Sequence, residues 1–258
     1  MKKIKKFLLT IAMTMALGTS AFAASGFEFL FQLAGGAGAA IPNKEAKDLG
    51  FGTGLSFDAD ISAQIGYMFQ VKEGFGISVL GELGYAWDFY VTGIDGGTLS
   101  SNTTTTGGVE YTVEGKDGLS LRQYYHSFKL GLLPKFNIGF GGRHGLAIGI
   151  GGGVKIPITG NYGAIITTVG GPTTVKEELQ YEQDINLKRQ DIVDLYSPSV
   201  IGYMKVTFDY YLFFTDNIGM NFGLYLGGDF APKLKDVKYG YNSFDMGLQL
   251  GFRFGPKA

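Results

Sequence analysis

Apolar and polar residues alternate with period two along most of this chain, the pattern of a strand with two different faces. Residues 55–69 show it most plainly. Leu55, Phe57, Ala59, Ile61, Ala63, Ile65, Tyr67 and Phe69 share one face, while Ser56, Asp58, Asp60, Ser62 and Gln64 fall on the other. Residues 75–91 repeat the arrangement, with Phe75, Ile77, Val79, Leu83, Tyr85, Trp87, Phe89 and Val91 opposite Ser78, Glu82, Asp88 and Tyr90. Eight such segments occur, near 27–38, 55–70, 75–91, 120–136, 145–158, 201–214, 218–229 and 243–254. Most exceed the roughly 9–11 residues that a tilted strand needs to cross a bilayer.

The connections alternate in length. Gaps 71–74, 137–144 and 215–217 are short, whereas 39–54, 92–119, 159–200 and 230–242 are long. Short turns on one side and long loops on the other are the layout of a transmembrane barrel, and an even strand number leaves no unpaired edge in lipid. The expected fold class is all-β: a closed antiparallel transmembrane β-barrel of eight strands, with short periplasmic turns and long extracellular loops. A ten-stranded barrel results if the third long connection joins the wall. There Leu179, Tyr181, Ile185 and Leu187 alternate with Glu178, Gln180, Glu182, Asp184 and Lys188. That pattern reads as a hairpin turning at Gly170-Gly171-Pro172, with an amphipathic helix over 176–196 as the alternative.

Aromatic residues mark two levels on the apolar parity. Phe27, Tyr67, Phe69, Phe75, Phe136, Phe214, Phe252 and Phe254 lie beside the short turns, and Trp87, Phe89 and Tyr124 lie nearer the long loops. Two girdles flanking an aliphatic band are what a barrel places at its membrane interfaces. Eight strands enclose only enough room for side chains, so the bulky apolar face points outward, to lipid.

Composition narrows the chemistry. The chain has 42 glycines among 258 residues, no cysteine and two histidines. Disulfides and thiolate sites are excluded, imidazole chemistry has little to work with, and no metal or cofactor is expected. Lys2, Lys3, Lys5 and Lys6 precede an apolar run over 7–17 and the small residues of Ala21-Phe22-Ala23. This is the pattern of a signal peptide over 1–23, cleaved before Ala24, with 24–258 as a single barrel domain. Losing four of the 22 basic residues leaves 18 against 23 acids, a mildly acidic mature chain.

A signal peptide, eight alternating strands, four long loops and three short turns together resemble the small eight-stranded outer-membrane barrels, the OmpX, OmpW and OmpA-barrel class. The resemblance is architectural and covers nearly the whole mature chain. It implies a bacterial outer-membrane location, with outer-membrane lipids and the outer-membrane assembly machinery as partners and a possible extracellular ligand at the loops. One departure stands out: such barrels commonly end on an aromatic residue read by the assembly machinery, whereas Gly255-Pro256-Lys257-Ala258 follow Phe254 here.

Parity sends Glu28, Asp58, Asp60, Glu82, Asp88, Asp209 and Asp245 into the lumen, with Lys129, Lys135, Lys155, Lys205 and Arg253. Two readings follow, a self-neutralising ion-pair network that plugs the barrel or a polar pore. The fifth segment favours space, because its inward positions are Ala147, Gly149, Gly151, Gly153, Lys155 and Pro157. Those glycines either admit Tyr90, Tyr125 or Phe213 from other strands or border a ligand-sized cavity. Inward Leu30, Leu80 and Leu133 would suit apolar solutes.

Catalytic signals are weak. His126 and Ser127 are adjacent strand residues and point to opposite faces unless a bulge intervenes. His144 sits in a turn, and no nucleophile-elbow, zinc-protease or phosphate-loop motif occurs. Asp58 and Asp60 are expected to pair with lysines. Six acids against three bases over 176–194 argue against nucleic acid. Lys233, Lys235 and Lys238 make the fourth loop locally basic, suited to anionic lipid headgroups. Two functions remain: a non-enzymatic anchor carrying surface loops, or a narrow channel for small or hydrophobic solutes in the manner of OmpW.

Overall fold

The computed structural model describes residues 25–106, 109–170, 177–236 and 238–258. The expected signal segment, 1–23, and the expected hairpin turn at 171–172 lie outside the described residues. The strands are β1 (Gly26–Pro42), β2 (Gly54–Lys72), β3 (Phe75–Thr106), β4 (Val109–Phe140), β5 (His144–Gly170), β6 (Glu177–Lys188), β7 (Tyr196–Ser197), β8 (Ile201–Phe213), β9 (Ile218–Phe230), β10 (Lys233–Leu234) and β11 (Tyr241–Phe254). Two short helices, α1 (Lys44–Asp48) and α2 (Arg189–Leu195), lie in the first and third long connections.

Eight strands close into a ring, β1-β2-β3-β4-β5-β8-β9-β11, all antiparallel. The seam between β11 and β1 is paired continuously from Phe29 opposite Phe254 to Pro42 opposite Tyr241. The strand count is therefore eight. β6 pairs only with β5, above the level where β8 takes over that edge, so it extends the wall without joining the ring.

The barrel is inside out relative to a soluble one. Leu248 and Leu132 are 68% and 63% exposed on the outer face, whereas Lys135 is fully buried and Arg253 is 1% exposed in the lumen. The aromatic girdle residues share the outward parity; Phe27 and Phe69 are well exposed, and Trp87, Phe89 and Tyr124 half-buried. Among the described residues, no helix is long and apolar enough to cross a membrane.

Two of the three short turns are built on glycines at positive φ, Gly74 between β2 and β3 and Gly141 and Gly142 between β4 and β5, where a side chain would strain the backbone. The long connections differ most from the pattern-based boundaries. The segments end at 91 and resume at 120, but β3 and β4 stay paired up to Thr106 opposite Val109. The Thr-rich stretch over 103–106 is β-branched and favours strand, and a sheet beyond the membrane needs no apolar alternation to advertise it. The third connection is the hairpin arm of β5 and β6, with the helical alternative confined to α2.

Candidate functional site: the filled lumen and its caps

Inward positions of the ring strands meet in the lumen at successive levels. Nearest the short turns, Arg253 Nε lies 3.0 Å from Glu28 Oε1, and Nη1 donates to Asn137 Oδ1 at 3.1 Å. Its guanidinium stacks 4.5 Å from the Tyr211 ring centre. Leu30, Leu80, Leu133, Ala147, Tyr211 and Phe213 form one apolar cluster at this end. Residues 255–258 turn back across the opening, with Arg253 Nη2 donating to the Pro256 carbonyl at 3.1 Å and Lys257 Nζ 3.0 Å from Asp216.

The middle is ionic. Lys135 Nζ sits 2.9 Å from Asp209, both side chains fully buried, and Gln249 also donates to Asp209. Glu82 accepts from Lys205 and from Tyr203 Oη at 2.6 Å. Lys129 Nζ donates to Asp60 at 2.6 Å and lies 3.7 Å from Glu82. One level higher, Lys155 Nζ bridges Asp88 at 2.6 Å and Asp229 at 2.7 Å. All five inward bases thus contact a carboxylate, which offsets part of the desolvation cost of burying them.

Of the two acids expected to pair with lysines, Asp60 does so and Asp58 does not. Asp58 accepts from Tyr225 Oη at 2.6 Å, and Asp245 accepts from Ser56 and Ser243. Lys155, the nearest ammonium on their level, is already shared between Asp88 and Asp229. Asp229 is the eighth acid of the network and was missed by the parity reading; the same alternation carried to the last residue of the 218–229 segment places it inward.

The glycine wall of β5 also departs from expectation. A Cβ on Gly149 would meet Thr207, Lys135 and Leu133, and one on Gly151 or Gly153 would collide with the β4 backbone. Neighbouring β4 and β8 therefore occupy the room, not Tyr90, Tyr125 or Phe213. Tyrosines crowd glycines at other positions: the Tyr203 hydroxyl at Gly131, the Tyr225 hydroxyl at Gly36 and the Tyr125 ring at Gly160, higher on β5. A cavity of about 30 Å³ remains beside Asp58, Asp60 and Asp229, and one of about 240 Å³ opens at the short-turn mouth beside Tyr211, Phe213 and Arg253.

The long-loop mouth is closed by apolar residues from three connections. Tyr90 and Tyr125 at the rim pack with Leu187, Ile192, Tyr196 and Ile201. Beside them Ala46 and Phe51 pack with Leu121, Tyr239 and Tyr241. Loops three and four are tied by the β7–β10 ladder, Lys233 opposite Ser197 and Leu234 opposite Tyr196. Tyr196 meets Tyr125 edge-on at 6.3 Å, and burial pushes its hydroxyl up to about 12. Within the long connections, Leu187 belongs to the alternating run of the third, whereas the other cap residues are isolated apolar residues without a period.

The histidines lie elsewhere. His126 pairs with Tyr85 on the outer face while Ser127 is buried in the lumen. The bulge opposite them places its extra residue, Ile158, on β5, so the two remain on opposite faces. His144 pairs with Tyr210. Among the described residues no group of three His, Asp or Glu converges to hold a metal.

Ring and lumen together define a closed membrane-type barrel with a filled interior, the architecture of the small outer-membrane barrels that the sequence resembles. The chain belongs to the family described as Domain of unknown function (DUF2715), whose profile matches residues 4–187. A search of curated proteins finds no match. Solved structures of similar layout include Neisserial surface protein A, 11% identical over 89% of this chain and 99% of that one, with a TM-score of 0.35. Others are the attachment invasion locus protein Ail of Yersinia pestis, at 10% identity, 90% and 100% coverage and a TM-score of 0.26, and the outer membrane protease OmpT of Escherichia coli, at 8%, 92%, 99% and 0.38. At such scores these likenesses carry no argument; the architecture rests on the strand ring itself.

Proposed function

We propose that this protein is a non-enzymatic integral protein of a bacterial outer membrane, whose barrel is a sealed anchor for its external connections. The observation that carries the reading is the filling of the lumen: an Arg253-centred cluster at one mouth, paired charges in the middle and an apolar cap at the other. The outward apolar face supports insertion into lipid, because exposing it to water costs roughly 25 cal/mol per Å². The surface-interaction role rests on the β5–β6 arm, where among the described residues β6 ends the sheet with its far edge unpaired, a template for an added strand.

The test is single-channel conductance of refolded residues 24–258 in a planar bilayer. Protein shown to be folded by heat-modifiable mobility on gels is expected to give no steps. Reproducible steps would overturn the sealed anchor and make the narrow channel the better reading.

A further inference from the structure

Lysines divide sharply by partner in this molecule. Each lumenal lysine contacts a carboxylate. Lys233, Lys235 and Lys238 in the fourth connection have no carboxylate partner among the described residues, and all three are exposed. They line one open groove of about 460 Å³ with Leu234, Ser197 and Glu45. Three ammoniums face one carboxylate there, on a chain whose mature form is acidic. Asp236, next in sequence to Lys235, is the nearest further acid along the loop.

The groove is held open by backbone contacts. Lys233 and Leu234 are fixed by the β7–β10 ladder. Lys235 donates its backbone N–H to the Leu195 carbonyl at 2.9 Å and one Nζ proton to the Val193 carbonyl at 2.8 Å, which leaves two protons free. Lys238 takes a left-handed φ of 52°, and its carbonyl accepts from Asn43 Nδ2 at 2.6 Å. A Lys at that φ is unusual, since Gly or Asn meets less strain there. Ordering these side chains' backbones beforehand lowers the cost of binding an anion.

Height above the bilayer decides which anion. Phe230 closes β9 with 53% of its surface exposed on the outer face, and Lys233 follows three residues later. At about 3.3 Å per residue this puts the groove within roughly 10 Å of the apolar belt, the depth of lipid headgroups.

We propose that the groove formed by Lys233, Lys235 and Lys238 binds the phosphate of an anionic lipid headgroup in the leaflet facing the long loops. This rests on the barrel being inserted in a bilayer. The test uses the folded full mature chain in phosphatidylcholine vesicles, with and without phosphatidic acid, and counts phosphatidic acid retained on the protein after detergent extraction. Flotation of the vesicles checks insertion first; protein that does not float fails the membrane reading, whereas floating protein isolates the lipid question. Wild type is expected to retain phosphatidic acid over phosphatidylcholine, with the preference weakened by salt. Each Lys→Gln change at 233, 235 or 238 is expected to weaken retention about five-fold, the share of one basic residue near an anionic surface. Equal retention by the triple K233Q/K235Q/K238Q chain, or no preference in wild type, would overturn the proposal. Displacement by equimolar inorganic phosphate would also overturn it, by leaving a site for a free anion.

Discussion

The lumen and the loop cap seal the same barrel by opposite means. In the lumen, charges are buried as pairs whose partners come from strands far apart in sequence, as with Lys135 and Asp209 or Lys155 and Asp88. In the cap, Ile192, Tyr196, Leu187 and Tyr239 close the mouth by apolar packing. The difference follows from what stands outside each. The membrane-level wall turns most of its bulky apolar residues to lipid, so apart from the Leu30, Leu80 and Leu133 cluster its inward positions are mainly polar, and the charged ones pair across the lumen. The cap stands beyond the lipid and faces water, where ordinary hydrophobic burial again drives packing. The first seal fails when one partner is removed; the second fails when volume is removed.

The largest effect should come from breaking the first seal. Lys155→Met strands Asp88 and Asp229, and removing one member of a buried ion pair typically costs about 3–5 kcal/mol. Urea-dependent unfolding of the refolded barrel in detergent micelles should read that loss, and an unchanged midpoint would mean water already screens the pair. Joint replacement of Lys135 by Met and Asp209 by Leu should be far milder than Lys135→Met alone, because matched apolar pairs substitute for buried ion pairs at little cost.

Next comes the cap. Ile192→Ala removes a fully buried side chain and should weaken the cap by about 2–5 kcal/mol. Faster hydrogen exchange in residues 187–201, with unchanged barrel mobility on gels, is the expected signature. Parallel loss of barrel folding would show that cap and lumen form one cooperative unit.

Filling the β5 wall should cost less. Gly151→Ala drives a methyl into Leu132 and Leu133 of β4, and overpacking of this kind costs roughly 1–3 kcal/mol. A variant as stable as the parent would reopen the idea of a lumenal cavity there.

The smallest effect is with pH. Burial raises the Tyr196 hydroxyl from 10.0 to about 12, so the folded cap holds its proton where an opened cap has lost it. The contribution is therefore intact below pH 10 and disappears as pH rises through about 12. Ultraviolet tyrosinate absorbance of the parent minus that of Tyr196→Phe should place this hydroxyl's titration; ionisation near 10 would mean the cap is open.

Much of the fold was legible because lipid imposes a strict period. The outward row from Leu55 to Phe69 and the inward Asp58, Glu82 and Lys129 follow from parity alone, and each falls on the expected side. Legibility fails where that constraint stops. Above the membrane, 92–119 alternates only over the short run Val109-Glu110-Tyr111-Thr112-Val113-Glu114, although β3 and β4 continue through much of it. Apart from Leu187 in its alternating run, the cap residues are scattered singly through three connections, so no period groups them.

By itself, the sequence determined which face of each strand meets lipid, because a one-residue shift in register would turn charged residues into hydrocarbon; it left eight or ten strands open, and the strand pairing decided eight. Only the tertiary structure decided the partners. Asp58 meets Tyr225 and Lys155 meets Asp229 because strands separated by well over fifty residues are brought to one level across the lumen. Parity fixes the side a residue faces, while ring closure and strand stagger fix its height and its neighbour.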